Sequence, residues 1–182
     1  MENTETNMAR IRRLGRVLET VCLAGAVAVI PLIALYWACF NLLPGDMTQE
    51  SLRLSATPVL AAWVRSLCFA AALVPGVALV VTLLRLRALC ALYGEGRIFT
   101  LANVVSFRSL SQALLAWAIA SMLYTPLHGL AVTAANPPGH HMLNLGIGGT
   151  EVALVFVAAL SVVIARVMEE ARRLDEEQAL TV

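Results

Sequence analysis

PVLAAWVRSLCFAAALVPGVALVVTLL, residues Pro58 to Leu84, is the stretch of sequence that decides the fold. It is apolar almost throughout, and Arg65 is its only charged residue. A helix needs about 20 consecutive apolar residues to cross a hydrocarbon core that is about 30 Å thick. The stretch is longer than that, so it predicts a transmembrane helix.

Three further apolar runs of comparable length lie on either side of this one, at residues 21–43, 114–132 and 151–168. The chain of 182 residues is 59% hydrophobic and 14% charged, and its mean hydropathy is +0.79. Soluble domains are typically about 45–50% apolar and about 25% charged. We therefore predict an all-α, polytopic membrane protein, in which residues 1–182 form one domain: a bundle of four transmembrane helices in the lipid bilayer.

The arginines indicate how these spans are oriented. The chain has no lysine, and eleven of its arginines fall on one side of the predicted spans. They are Arg10, Arg12, Arg13, Arg16, Arg85, Arg87, Arg97, Arg108, Arg166, Arg172 and Arg173. The opposite connections contain only Arg53, and basic residues concentrate on the cytoplasmic side of membrane proteins. Both termini are therefore predicted to be cytoplasmic. The lysine-free, alanine-rich composition suggests a GC-rich bacterial genome, and the expected location is the bacterial inner membrane.

Two segments outside the spans are expected to be helical. The connection 85–109 should form a cytoplasmic helical hairpin: the second helix continues to Gly94, glycine ends it, and the Thr100 hydroxyl caps the next helix. After the fourth span, for which Thr150 is the expected cap, a charged helix should continue into a cytoplasmic C-terminal tail, residues 169–182.

Arg65 is the only ionisable residue that this pattern places well inside a span. An arginine at such depth is costly and can mark a functional site. Three interpretations are open. The side chain extends outward along its own helix, it pairs with Glu151 or Glu50, or it binds a ligand or a transported substrate. Arg65 and Glu151 are thus the candidate intramembrane polar site.

A small transporter or an export or immunity factor is the alternative function that Arg65 suggests. Transporters often bind their substrate at broken helices, and proline removes a backbone hydrogen bond from a helix. The prolines within spans are Pro31, Pro75 and Pro126. Since no span carries a carboxylate near its centre, kinked packing is the favoured interpretation of these prolines.

Catalytic and metal-binding patterns are not evident in the sequence. It shows no nucleophile–base pair, and the neighbours His140 and His141 lack the i, i+4 spacing that places two imidazoles on one helix face. The four cysteines form no C-x-x-C pair. We therefore predict no enzymatic activity, no cofactor and no metal. Small residues four or three apart in three spans support packing inside the bundle or between protomers, so a homo-oligomer stays open.

Two stretches resemble a known family. The first is LYGEGRIFTLANV, residues Leu92–Val104, and the second is EEQALTV, residues Glu176–Val182. With four spans in a chain of this length, they resemble the bacterial membrane proteins called domain of unknown function 2975, the YoaS-like proteins. There the first segment reads much like Y-x-x-G-x-x-F-T-x-x-N-V and the tail much like E-E-Q-D-L-T-V, so Ala179 departs from the family's aspartate. The resemblance extends over essentially the whole chain.

The resemblance implies little chemistry, because the family is uncharacterised. Its members are often encoded beside a small helix-turn-helix regulator of the Xre type, which implies a membrane protein that binds such a regulator without contacting DNA itself. The candidate partner-binding residues are then Phe99, Thr100, Asn103, Arg108, Glu176, Glu177 and Gln178. In the alternative interpretation, the connection only packs at the turn between the second and third helices, and the tail is only solvated.

Overall fold

A computed structural model of the chain describes residues 2–42, 60–96, 100–133 and 148–179. Within them lie four long helices and one short 3-10 helix. They are α1 (Glu2–Ala38), the 3-10 helix (Phe40–Leu42), α2 (Ala62–Gly94), α3 (Leu101–Thr133) and α4 (Gly149–Ala179). All four α-helices are long and apolar enough to cross a membrane. The predicted all-α architecture, with four helices long and apolar enough to span a membrane, is confirmed.

Each helix packs mainly against the next one along the chain: α1 against α2, α2 against α3, and α3 against α4. Residues early in α1 lie beside residues late in α2, so consecutive helices run in opposite directions. The start of α1, the end of α2, the start of α3 and the end of α4 therefore share one end of the bundle. We call this the arginine-rich end, because Arg10, Arg87 and Arg108 lie there.

Two clusters of buried side chains hold the helices together. One joins α1, α2 and α3 at the end opposite the arginines, which we call the aromatic end, and consists of Trp37, Phe40, Leu60, Val64, Cys68, Ala72 and Ala131. The other joins α2, α3 and α4 and consists of Leu89, Leu110, Leu114, Ala118, Leu154 and Ala158. Because α2 and α3 take part in both clusters, they are the centre of the bundle.

Small residues are placed where helices approach closely. Gly76 of α2 faces α1, and a Cβ there would lie 2.6 Å from Cδ1 of Ile33. Ala158 and Ser161 of α4 are buried. These small residues are thus used within one chain, as close helix packing requires.

The helices differ from the predicted spans mostly at their ends. Helix α2 begins at Ala62, four residues after the predicted start at Pro58, which lies outside the described residues. The reason is the side-chain amide of Asn41. Its Nδ2 donates to the Leu60 carbonyl at 3.2 Å, and the Leu60 N–H donates to its Oδ1 at 3.3 Å. Both backbone groups of Leu60 are therefore engaged outside a helix.

The turn from α2 to α3 largely matches its prediction. Helix α2 continues to Gly94, and Gly96 has φ of 80°, in the left-handed region that glycine enters without steric cost. Thr100 precedes α3, and its carbonyl accepts the Asn103 N–H at 2.9 Å. Its hydroxyl, however, is buried without a hydrogen-bond partner. The predicted hydroxyl cap is therefore not formed.

Helix α4 begins one residue earlier than Thr150. Gly148 occupies the capping position: its N–H donates to Oε2 of Glu151 at 2.8 Å, and its carbonyl accepts the Val152 N–H at 3.4 Å. A carboxylate three residues into a helix often binds the capping residue's N–H in this way. Thr150 is therefore a helical residue, and the prediction that it caps α4 was wrong.

Candidate functional site

At the arginine-rich end, the backbones of α1 and α2 touch. Gly15 of α1 is buried, and a Cβ there would lie 2.6 Å from the Gly94 nitrogen and 2.9 Å from the Cys90 carbonyl oxygen. Both neighbours are backbone atoms that cannot rotate away. Only glycine at position 15 permits this approach, which fixes α1 against the end of α2.

One turn further along α1, an ion pair links the same two helices. Glu19 Oε1 accepts from Arg87 Nη2 at 3.1 Å and from Arg87 Nε at 3.3 Å. Both side chains are only partly exposed, 30% for Glu19 and 40% for Arg87. This pair was not predicted, because residue 19 precedes the first predicted span and the register of two antiparallel helices is not visible in the sequence. The signal available in the sequence was Glu19 itself, an acidic residue between the arginines and the first apolar run.

The arginines of α1 lie across the turn between α2 and α3. A Cβ at Gly96 would lie 2.7 Å from Nε of Arg12, and a Cβ at Gly94 would lie 3.3 Å from Cγ of Arg16. The described arginines at the start of α1 are exposed, and the structure records no ion pair for any of them: Arg10, Arg12, Arg13 and Arg16. The start of α1 therefore presents concentrated positive charge beside the turn.

The candidate residues of the connection are placed differently from one another. Asn103 is completely buried, and Val104 beside it is 8% exposed. Thr100 is partly buried, whereas Arg108 is exposed. Phe99 lies outside the described residues. Of the described candidates in the connection, Arg108 is thus the one that a partner could touch directly, while Asn103 and Thr100 form the base of the turn.

The candidate tail residues lie on a helix that continues past the apolar span. Helix α4 is uninterrupted from Gly149 to Ala179. Glu169 and Glu170 are 53% and 65% exposed, and each has an arginine one turn away, at 3.9 Å and 3.8 Å. Glu176, Glu177 and Gln178 belong to the same helix; their side chains lie outside the described part of the chain. Residues 169–179 extend α4 by about 16 Å at 1.5 Å per residue.

At the aromatic end, Arg65 has a partner that the sequence analysis did not consider. Its Nη1 donates to the carbonyl of Ala38, the last residue of α1, at 3.0 Å. The last carbonyls of a helix have no partner within it, and a cation is favourable there. Glu151 instead binds the N–H of Gly148. The structure therefore does not pair these two residues, and Glu50 lies outside the described residues.

Aromatic rings surround His128 at the same end. Its ring centroid lies 5.7 Å from that of Trp37 and 5.2 Å from that of Tyr124, and Trp37 stacks on Phe40 at 5.2 Å. This cluster ties α1 to α3. His140 and His141 lie outside the described residues, and within the part of the chain that the structure describes no three His, Cys, Asp or Glu side chains meet as metal ligands.

Comparison with known proteins gives one match. A family model described as "Protein of unknown function (DUF2975)" matches residues 53–182. The match contains α2, α3 and α4, with the turn and the tail, and it leaves out α1. No curated protein and no solved structure matches the chain.

Proposed function

The chain belongs to the DUF2975 family, and we propose that it is a regulatory partner of a small cytoplasmic DNA-binding protein. In this proposal it spans the bacterial inner membrane four times with both termini in the cytoplasm. It acts by binding and catalyses no reaction. The arginine-rich end of the bundle is then the cytoplasmic end.

The observation that carries the proposal is the uninterrupted course of α4 beyond its apolar span. A tail that merely ends a chain needs no ordered helix, whereas a partner is bound at lower entropic cost by a surface that is already ordered. Residues 169–179 contain five acidic and two basic side chains, so this part of the helix carries a net charge of −3. It adds an acidic helical segment about 16 Å long, in which the described carboxylates Glu169 and Glu170 are exposed.

An acidic helix suits a DNA-binding partner. Such proteins bind phosphates with clustered lysine and arginine, and complementary charge speeds and orients the encounter of two proteins. Binding the tail would compete with binding DNA. The family resemblance supports a helix-turn-helix regulator of the Xre type as that partner. Arg108 of α3 is exposed at the same end of the bundle and would contact acidic groups on the same partner.

Transport through the bundle gains no support from the geometry. The alternative function depended on an Arg65 that is free to bind a substrate, and the guanidinium instead binds the end of α1. Although Nε of Arg65 is buried without a hydrogen-bond partner, one unpaired donor does not form a substrate site. We therefore propose no transport function.

The test is capture of the partner by the whole protein in mild detergent, identified by mass spectrometry. The variant Glu176→Lys with Glu177→Lys reverses the charge of the tail, and Asp46→Lys with Glu50→Lys makes the same charge change in the opposite connection. We expect the first variant to lose a small basic DNA-binding protein that the native chain and the second variant capture. Capture that is equal in all three chains, or absent from the native chain, would overturn the proposal.

A further inference from the structure

A second binding surface lies on α1, outside the region that the family model matches. The geometry points to a site for one anionic phospholipid, with the headgroup phosphate between Arg13 and Arg16 and an acyl chain along Val17 and Val21. This surface is distinct from the tail, and the inference does not depend on the proposed regulator.

The depth of these residues in the bilayer is the first argument. Helix α1 ends at Ala38, beside the exposed aromatic residues Tyr36 and Trp63, a type of residue that is typical of a membrane interface. A hydrocarbon core about 30 Å thick takes about 20 helical residues. Counted back from Ala38, the core ends close to Glu19. Arg16 and Arg13 then lie about 5–9 Å further along the helix, at the level of lipid headgroups.

The shape and lining of the surface are the second argument. Arg13, Arg16, Val17, Thr20 and Val21 line one shallow depression with a volume of about 650 Å³. Its upper part carries two guanidinium groups and its lower part carries valine side chains. Val17 and Val21 are 53% and 59% exposed. A phospholipid matches this arrangement, because its charged headgroup would meet the arginines and its acyl chain would meet the valines.

The unpaired charges are the third argument. Among the described residues, Arg13 and Arg16 have no ion-pair partner, whereas Arg166 and Arg173 at the same end each lie within 4 Å of a glutamate. The stem of Arg16 also packs close to Gly94, where a Cβ would lie 3.3 Å from its Cγ, while the residue as a whole is exposed. Guanidinium groups bind phosphate with two parallel hydrogen bonds.

Other anionic ligands fit the surface less well. A nucleic acid or an acidic peptide would satisfy the arginines but would leave Val17 and Val21 against a polar backbone. A soluble phosphate would use the arginines alone. Only a lipid uses both halves of the depression.

The experiment measures lipid binding to the whole protein by native mass spectrometry in detergent. The probes are phosphatidylglycerol and phosphatidylcholine with identical chains, with inorganic phosphate as a soluble competitor. The test variant is Arg13→Gln with Arg16→Gln. The control, Arg166→Gln with Arg173→Gln, removes two charges from the same end. Far-UV circular dichroism of each variant checks that its helices are kept.

Each arginine near an anionic lipid surface contributes about fivefold in affinity. The test variant should therefore bind phosphatidylglycerol about 25-fold more weakly, whereas phosphatidylcholine, whose choline cation offsets its phosphate charge, should lose clearly less affinity. The control should stay within about threefold of the native chain, and inorganic phosphate should not displace the lipid. The inference is overturned if both variants lose the same affinity, if both lipids are affected equally, or if free phosphate competes at the lipid's own concentration.

Discussion

Replacing Gly15 with alanine tests the contact that fixes α1 on the rest of the bundle. The added Cβ would lie 2.6 Å from the Gly94 nitrogen and 2.9 Å from the Cys90 carbonyl oxygen, and neither backbone atom can turn aside. Gly25, further along the same helix, supplies the matched control. A Cβ there would meet only Cδ1 of Leu83, at 3.4 Å, which is the end of a flexible side chain.

The magnitude follows from the two geometries. Non-bonded carbon atoms are most stable about 3.5–4.0 Å apart, so α1 must move away from α2 by roughly 1 Å to admit the methyl group of Gly15→Ala. Such overpacking costs about 1–3 kcal/mol. Both substitutions gain the same helix propensity, up to about 1 kcal/mol, and this gain cancels in their difference. Gly15→Ala should therefore be less stable than Gly25→Ala by about 1–3 kcal/mol.

The assay is reversible unfolding of the purified chain in mixed micelles, titrated with a denaturing detergent and followed by circular dichroism. Both variants and the native protein are measured in the same lipid and detergent. Free energies of unfolding that agree within about 0.5 kcal/mol for the two alanine variants would refute the close contact between α1 and α2. So would a Gly25→Ala variant that is the less stable of the two.

Three further predictions concern the same end of the bundle. Glu19→Gln should lower the free energy of unfolding by about 1 kcal/mol through loss of its partly exposed ion pair. Exchanging the two charges, Glu19→Arg with Arg87→Glu, should restore most of the lost free energy of unfolding. A double variant that is as unstable as the single variant would contradict the pairing. Gly96→Ala places an alanine in the left-handed backbone conformation, which costs roughly 1–2 kcal/mol. The thermal midpoint of this variant should therefore fall by about 2–8 °C. An unchanged midpoint would exclude the observed turn. Cys22 and Cys90 are both buried and lie near each other where α1 packs against α2, so a mild oxidant should join their peptides in a mass-spectrometric digest, and absence of that linked pair would show a different helix register.

The sequence predicted the number and type of helices because that information is local. Apolar runs long enough to cross a bilayer identify spans wherever they occur, and the course of α2 to Gly94 followed from glycine chemistry. The helix starts were harder to predict. Leu60 stays outside α2 because Asn41 binds it from another element, and Gly148 rather than Thr150 caps α4 because a glutamate three residues on was free to bind it.

The contacts between helices could not be predicted, since they depend on register. Arg65 was expected to extend outward, to pair with a carboxylate or to bind a ligand, and it binds a backbone carbonyl whose position depends on where α1 ends. Likewise, the pattern identified Asn103 as a surface for a partner, and the structure buries it completely. A motif shared with a family marks residues that matter, but burial decides whether they bind a partner or hold the fold.

The most direct test of the account is the side of the membrane on which α4 ends. Single cysteines are placed at Gln178 and at Ser51, in a chain whose native cysteines are replaced by serine, and are labelled with a membrane-impermeant maleimide in intact spheroplasts and after the membrane is opened. The account predicts that Ser51→Cys is labelled in intact spheroplasts and that Gln178→Cys is labelled only after opening. Labelling of Gln178→Cys in intact spheroplasts would place the acidic helix outside the cytoplasm and would contradict the proposed function.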